Sequence, residues 1–389
     1  MGEKSTEILG RLKHGQETIP RRRILILTTA YLPQVGGSEL AIKNITDRLS
    51  EFDFDLITSR FSPDVPAYEK VGNVNVYRVG NSLSRFSFLL PKNFLPIAVF
   101  LKARELISKY GSYDFIHAYQ ASQAAGGGWL LKWFYPGIPF LVTVQEGKVL
   151  VNQSWLTKFF RYMIFKKADK ATAISNYLAK YIVSQNKNLP VTIIPNGVNL
   201  QEFGVGGQEL RENRTVITVS RLVEKNGVKD LIDAMAIVAE KIDDAKLWII
   251  GDGPQKEELI NKSKSLNLKN NVEFLGEIPN ERLSKYLTKA TVFVRPSLSE
   301  GLGTAFLEAM ACGTAIIGTP VGGIPDFLRD GETGLFCESK NPQSIADKII
   351  KIIENEELRQ KLVKNSRELV EEKYNWNNIA EEFKRIYER

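Results

Sequence analysis

Short apolar runs alternate along the chain with longer stretches in which apolar residues return every three or four positions. Runs of the first kind suit strands and stretches of the second kind suit helices, and their alternation is the signature of parallel α/β architecture. In the first half the pattern predicts strands at 23–30, 53–60, 74–80, 115–120, 139–145, 170–175 and 191–198. Their near-continuous Ile, Val and Leu implies sheets covered on both faces. The polar, glycine-rich stretch Asn199–Arg214 interrupts the pattern, as a linker would. The pattern then restarts, with strands at 215–220, 246–251, 272–276, 291–297 and 314–320. Helices are predicted near 228–241, 255–267, 280–290 and 303–312, and 343–389 reads as mostly helical. A chain of 389 residues exceeds one small core, so two domains are expected. The predicted organisation is a leader (1–22), a first domain (23–200), a linker (201–213), a second domain (214–372) and a terminal helical segment (373–389). The fold class is α/β: two doubly wound, Rossmann-like domains facing across a cleft, with ligands beyond the carboxyl ends of the strands.

Charge changes this picture by distinguishing the halves. Residues 1–200 hold 25 Lys and Arg against 14 Asp and Glu, whereas residues 201–389 hold 27 against 31. A basic half attracts anionic partners. No apolar run reaches the roughly 18 residues that a membrane span requires. Cys312 and Cys337 have no metal-like spacing, which fits a reducing compartment. Arg21, Arg22 and Arg23 before ILILTTA have the outline of a signal peptide. The apolar run is too short and ends in a Gly-Gly loop, so it reads as the first strand.

Several strand-end loops carry residues suited to chemistry. Ser220-Arg221-Leu222-Val223-Glu224-Lys225-Asn226-Gly227 places two cations at a sheet's carboxyl edge, where they could neutralise a leaving diphosphate; a solvated loop is the plain alternative. Gly251-Asp252-Gly253-Pro254 is a turn signal. Glu300-Gly301-Leu302-Gly303-Thr304 leads from a strand into a helix that contains Glu308. Its glycines allow close backbone approach, and the amides of Leu302, Gly303 and Thr304 offer an anion site at a helix N-terminus. Glu308 could hold a ribose diol, and Glu300 could bind sugar hydroxyls.

This set, SRLVEKNG, GDGP, FLG and EGLGTAFLEAMACGTAIIGT, resembles glycosyltransferase family 4, a retaining group with the GT-B fold. In the first half the resemblance extends to Tyr31-Leu32-Pro33 with Gly36-Gly37-Ser38-Glu39, Asp114-Phe115-Ile116-His117, Ala173-Ile174-Ser175 and Pro195-Asn196-Gly197-Val198. It spans about residues 22–389 and implies that the terminal helix after Tyr374-Asn375-Trp376 crosses back to the first domain. It further implies that Arg221 and Lys225 bind the donor diphosphate and that Glu308 binds the ribose. Glu300 with the amides of Leu302 to Thr304 would hold sugar and phosphate, with Gly251 and Gly253 alongside. Gly36 and Gly37 would approach from the other domain, where His117 would face the reacting sugar. One departure from the family is Gln145, which stands where many members place a histidine on the donor sugar. Gln145 can hydrogen-bond a sugar but cannot take a positive charge.

The resemblance implies retention of anomeric configuration without a metal or other cofactor, from a UDP- or GDP-sugar donor. Asp53-Phe54-Asp55 has metal-binding spacing but enters a strand. The acceptor side mixes aromatic with basic residues, and 155–170 reads as a basic amphipathic helix suited either to an anionic membrane or to the core. The expected acceptor is a glycan or lipid-linked saccharide in the cell envelope. The expected location is cytoplasmic, peripheral on the membrane if that helix lies on lipid. Alternatives are a soluble transferase acting on a sugar phosphate or storage glucan, and a catalytically silent scaffolding subunit. Nothing resembles a nucleic-acid-binding module.

Overall fold

The computed structural model describes residues 21–80, 91–145, 154–204 and 214–389. Residues 1–20 of the expected leader and most of the expected linker lie outside the described residues.

The first domain runs β1 (Arg23–Leu27), α1 (Gly37–Arg48), β2 (Asp53–Ser59), β3 (Tyr68–Val71), β4 (Val74–Val79), α2 (Pro91–Tyr110) and β5 (Phe115–Tyr119). It continues with α3 (Gln123–Phe134), β6 (Phe140–Val144), α4 (Trp155–Lys167), β7 (Lys170–Ala173), α5 (Asn176–Gln185), β8 (Val191–Ile193) and a single turn, α6 (Leu200–Phe203). The second domain runs β9 (Thr215–Val219), α7 (Val228–Lys241), β10 (Lys246–Ile250), α8 (Lys256–Ser265), β11 (Val272–Gly276), α9 (Asn280–Lys289) and β12 (Val292–Arg295). It closes with α10 (Thr304–Ala311), β13 (Ala315–Gly318), β14 (Leu335–Phe336), α11 (Pro342–Glu354), α12 (Glu356–Lys373) and α13 (Trp376–Tyr387).

The strand orders are β3-β4-β2-β1-β5-β6-β7-β8 and β11-β10-β9-β12-β13-β14. All pairings are parallel except β3 with β4. Successive strand residues point to opposite faces, and both faces are covered. Leu25 and Leu27 of β1 pack with residues of α2, α3 and α5, whereas Ile24 and Ile26 pack with α1 and α13. In the second sheet Phe293 faces α9 and α10, whereas Val292 and Val294 face α7 and α11. Strand order reverses direction between β1 and β5 and between β9 and β12, so each sheet has a switch point at which its loops diverge and open a crevice.

The chain passes between the domains twice, and the two passages touch. Outbound, α6 packs on α9 and α10, with Phe203 buried. Inbound, α13 packs on α1. Where they meet, the Val198 amide donates to the Tyr374 carbonyl at 2.8 Å. A Cβ on Gly197 would lie 2.9 Å from that same carbonyl and from the Trp376 ring. Glycine in the Pro-Asn-Gly-Val segment is therefore what lets the return passage lie so close.

Candidate active site

The loops that carry the predicted chemistry leave the strands at the second sheet's switch point. The loop after β9 and the loop after β12 are joined at 2.7 Å, where the Leu298 amide donates to the Lys225 carbonyl. Gly227, at φ +68°, would place a Cβ 2.1 Å from the Pro296 carbonyl. No other residue type fits there, so Arg221 and Lys225 sit on a segment held against the loop that bears Glu300. The Arg221 carbonyl accepts from Asn226 Nδ2 at 2.6 Å, which fixes the turn. The Arg221 side chain is exposed. With Gly251, Asp252, Gly253 and Glu277 it lines a groove of about 480 Å³. Gly251 and Gly253 also have a packing role: a Cβ would come within 2.0 Å of the Ser220 carbonyl at the first and 2.4 Å of the Leu222 carbonyl at the second.

Glu300 is held on both oxygens. Oε2 is 2.5 Å from Nη2 of Arg295, and Oε1 accepts from the Gly301 amide at 3.1 Å. Arg295, the last residue of β12, is almost wholly buried. Its guanidinium lies 5.0 Å from the centroid of Phe306, a cation–π contact. Gly303, at φ +93°, leaves room for it, since a Cβ there would sit 3.1 Å from Nη2. The sequence reading missed Arg295; a charged residue closing an otherwise apolar strand was the available signal. It also missed Gly322 and Gly323, which follow β13 and run beneath this loop. A Cβ on Gly322 would lie 1.8 Å from the Glu300 carbonyl, and one on Gly323 would lie 2.2 Å from that of Gly301.

The helix that begins at Thr304 has no side-chain cap. Its first-turn amides face the loop of Glu300 to Gly303, as an anion site requires. Leu302 itself is buried in the core. The carboxyl of Glu308, one turn further along, makes no hydrogen bond or ion pair among the described residues, and the residue keeps some exposure. Desolvation pushes its carboxyl up to about 7; Arg295 opposes this and Glu202 of α6 adds to it.

Across the cleft, Gly36 and Gly37 open α1 beyond the carboxyl end of β1. Asn196 Nδ2 would be the nearest neighbour of a Cβ on Gly37, at 3.9 Å, and it donates to Gln145 Oε1 at 3.4 Å. Gln120, at the end of β5, has φ +68° and donates through Nε2 to Ser38 Oγ at 3.4 Å. A non-glycine residue in that region is uncommon and favours functional positions. Gly37, Gln145 and Asn196 thus gather at the first sheet's carboxyl edge. That edge meets the second domain where the Asp326 carboxylate accepts from the Asn176 amide at 2.7 Å.

His117 is not among them, which corrects the expectation that it faces the reacting sugar. Its ring is 0% exposed. Nδ1 lies 2.7 Å from the Tyr387 hydroxyl and Nε2 lies 2.6 Å from Thr143 Oγ1. The ring stacks on Phe383. Burial pushes its pKa down to about 3, so it is a neutral core residue that seats α13. Asp55 is likewise structural: it accepts from Arg23 Nη2, Asn75 Nδ2 and the Tyr113 hydroxyl at 2.7–2.9 Å near the opposite edge of the sheet. No group of three His, Cys, Asp or Glu side chains is placed to hold a metal among the described residues.

Comparison with known proteins identifies the family and the fold. Residues 35–202 match the family described as Glycosyltransferase Family 4, and residues 207–369 match Glycosyl transferases group 1. The chain belongs to the family 4 glycosyltransferases. It is 29% identical to an uncharacterised glycosyltransferase of Methanocaldococcus jannaschii, over 94% of this chain and 97% of the relative. It is 28% identical to N-acetyl-alpha-D-glucosaminyl L-malate synthase of Bacillus anthracis, over 94% and 97%. It is 27% identical to phosphatidyl-myo-inositol mannosyltransferase of Mycobacterium leprae, over 72% and 74%. Among solved structures, sucrose-phosphate synthase from Thermosynechococcus elongatus is similar with a TM-score of 0.80 and 23% identity, covering 95% of this chain and 98% of that one. Anabaena HepE, solved with UDP and glucose, has a TM-score of 0.76 and 18% identity over 94% and 99%. The fold of this glycosyltransferase is GT-B.

Proposed function

We propose that this glycosyltransferase moves a hexose from a UDP- or GDP-sugar to a hydroxyl of a glycan or lipid-linked acceptor, retaining configuration and requiring no metal. The observation that carries the reading is the convergence at one switch point of the Arg221–Lys225 loop, the Arg295–Glu300 pair and the uncapped α10. Arg221 and Lys225 take up the negative charge of the departing diphosphate, with the first amides of α10 as fixed dipoles. Glu308 accepts two hydroxyl hydrogen bonds from the ribose. Glu300, oriented by Arg295, uses its remaining lone pairs on sugar hydroxyls. Gly37, Gln145 and Asn196 contribute the facing wall. On one face of the donor sugar, the leaving phosphate oxygen receives the acceptor's proton as the new bond forms. The UDP and glucose bound in HepE and the phosphatidyl-myo-inositol in the name of the mycobacterial relative support the donor and acceptor classes. The location that fits a nucleotide-sugar donor is the cytoplasm.

A thermal-shift panel of nucleoside diphosphates and their sugars in a chelating buffer tests this reading, because a ligand of the folded state raises its stability. One nucleotide-sugar series should raise the melting temperature, and Glu308→Ala should abolish that shift. The absence of a shift with any UDP- or GDP-linked ligand would overturn the reading.

A further inference from the structure

The first domain carries, on the face of its sheet opposite α1 and α13, a surface that the proposed transfer does not use. Helices α2, α3 and α4 lie side by side there. Each buries one side in the core and leaves large apolar residues outside. On α2 these are Phe94 and Leu101; on α3 they are Trp133 and Phe134; on α4 they are Trp155, Phe159 and Phe160, with Trp155 76% exposed. The residues are not scattered singly. Phe134 lies 5.1 Å from Phe100 of α2, and Lys167 Nζ of α4 sits 3.9 Å from the Trp133 ring. A soluble protein seldom exposes such a patch unless it serves contact.

The charge on these helices selects what covers them. Among the described side chains their outer faces carry Lys102, Arg104, Lys109, Lys158, Lys166 and Lys167 against one carboxylate, Glu105, whereas Lys132 and Arg161 are buried. A second copy of the chain meeting this face through a two-fold axis would bring like charge against like charge. An anionic bilayer meets it with opposite charge, and aromatic rings beside lysines are the composition of helices that lie in a lipid interface. The exposed end of α4 is also its first turns, which follow β6 and so lie toward the sheet edge that carries Gln145.

We infer that α2, α3 and α4 form one membrane-docking face that seats the first domain on an anionic lipid surface beside the cleft. The inference deepens the proposed function by assigning an acceptor held at the lipid–water boundary, and it rests on that reading only for the acceptor. Docking buries the aromatic side chains at headgroup depth while the lysines contact lipid phosphates. Binding is therefore lost as salt rises.

The test is co-sedimentation of the full chain with phosphatidylcholine vesicles, with and without phosphatidylglycerol. Binding is expected only with the anionic lipid and should weaken on adding salt. The variant Trp155→Ser/Phe159→Ser/Phe160→Ser alters exposed positions and should bind at least about tenfold more weakly. Its nucleotide-sugar thermal shift should match that of the parent. A parent that shifts with donor but does not bind anionic vesicles overturns docking alone. Vesicle binding that the variant retains also overturns it. Self-association that disappears in the variant, without vesicle binding, reassigns the face to contact between copies. Failure of the donor shift with vesicle binding intact would count against the transfer reading instead.

Discussion

Glu308 is a carboxyl whose surroundings favour its neutral form, and this has a consequence for pH. Its folded value lies near 7 against an ordinary 4.5, because desolvation outweighs the pull of Arg295. Below the ordinary value both folded and unfolded chains hold the proton. As pH rises through about 7 the folded chain must bear a desolvated charge, so stability declines across that window. Glu308→Gln should flatten the decline and raise stability at pH 8 by on the order of 1–3 kcal/mol, read by denaturant titration. Ribose hydroxyls donating to Glu308 favour its ionised form, so donor binding at pH 7 should release protons in the parent but not in the variant. Calorimetry in buffers of different ionisation enthalpy reads this. Arg295 predicts the opposite kind of defect. Arg295→Met leaves Glu300, a partly exposed carboxylate, without its cation, which should cost roughly 1–3 kcal/mol. Adding Glu300→Gln should restore much of that stability while donor turnover stays low, which separates positioning from folding.

At the level of elements, the return helix α13 shows how much the first domain depends on the end of the chain. Tyr387→Phe removes the hydroxyl 2.7 Å from His117 Nδ1 and leaves a buried ring nitrogen without that partner. Stability should fall by about 1–3 kcal/mol in denaturant titration, with donor affinity per folded molecule unchanged. A loss of affinity without loss of stability would return His117 to the site. The alternation of apolar runs was enough to place the main strands, because the central ones, β1, β5, β6, β10 and β12, are buried on both faces and therefore largely apolar. It did not reveal β3, whose residues alternate half-buried and exposed at an edge, or the two-residue β14. The segment predicted as a strand over 191–198 joins the sheet as a strand at Val191–Ile193, and beyond Pro195 and Gly197 it makes only a single bridge, Val198 with Asn375. Among the site residues, Arg221, Lys225, Glu300 and Glu308 were legible because glycine-rich loops mark strand ends. Arg295 was missed because a charge that closes an apolar run marks a strand end without showing which carboxylate it will pair with. His117 misled for a related reason: sequence shows a titratable ring and cannot show the two hydroxyls and the helix that enclose it.

Over the whole molecule, two switch points face each other and the chain crosses between them at touching segments. The basic surplus of the first half divides by location. Nine of its 25 cations belong to α2, α3 and α4, on the sheet face opposite α1 and α13, while the cations assigned to the diphosphate, Arg221 and Lys225, belong to the less basic second half. Donor chemistry and surface attachment thus draw on different sets of charge and can be altered independently. The central claim is that Arg221, Lys225 and the amide dipoles of α10, rather than a bound cation, accommodate the diphosphate. Calorimetric titration of UDP and GDP into the full chain in EDTA tests it without knowledge of the acceptor. One of the two should bind in the chelator, and Arg221→Ala and Lys225→Ala should each weaken it by about tenfold or more. Binding that requires added magnesium or manganese, or that survives both substitutions unchanged, would contradict the account.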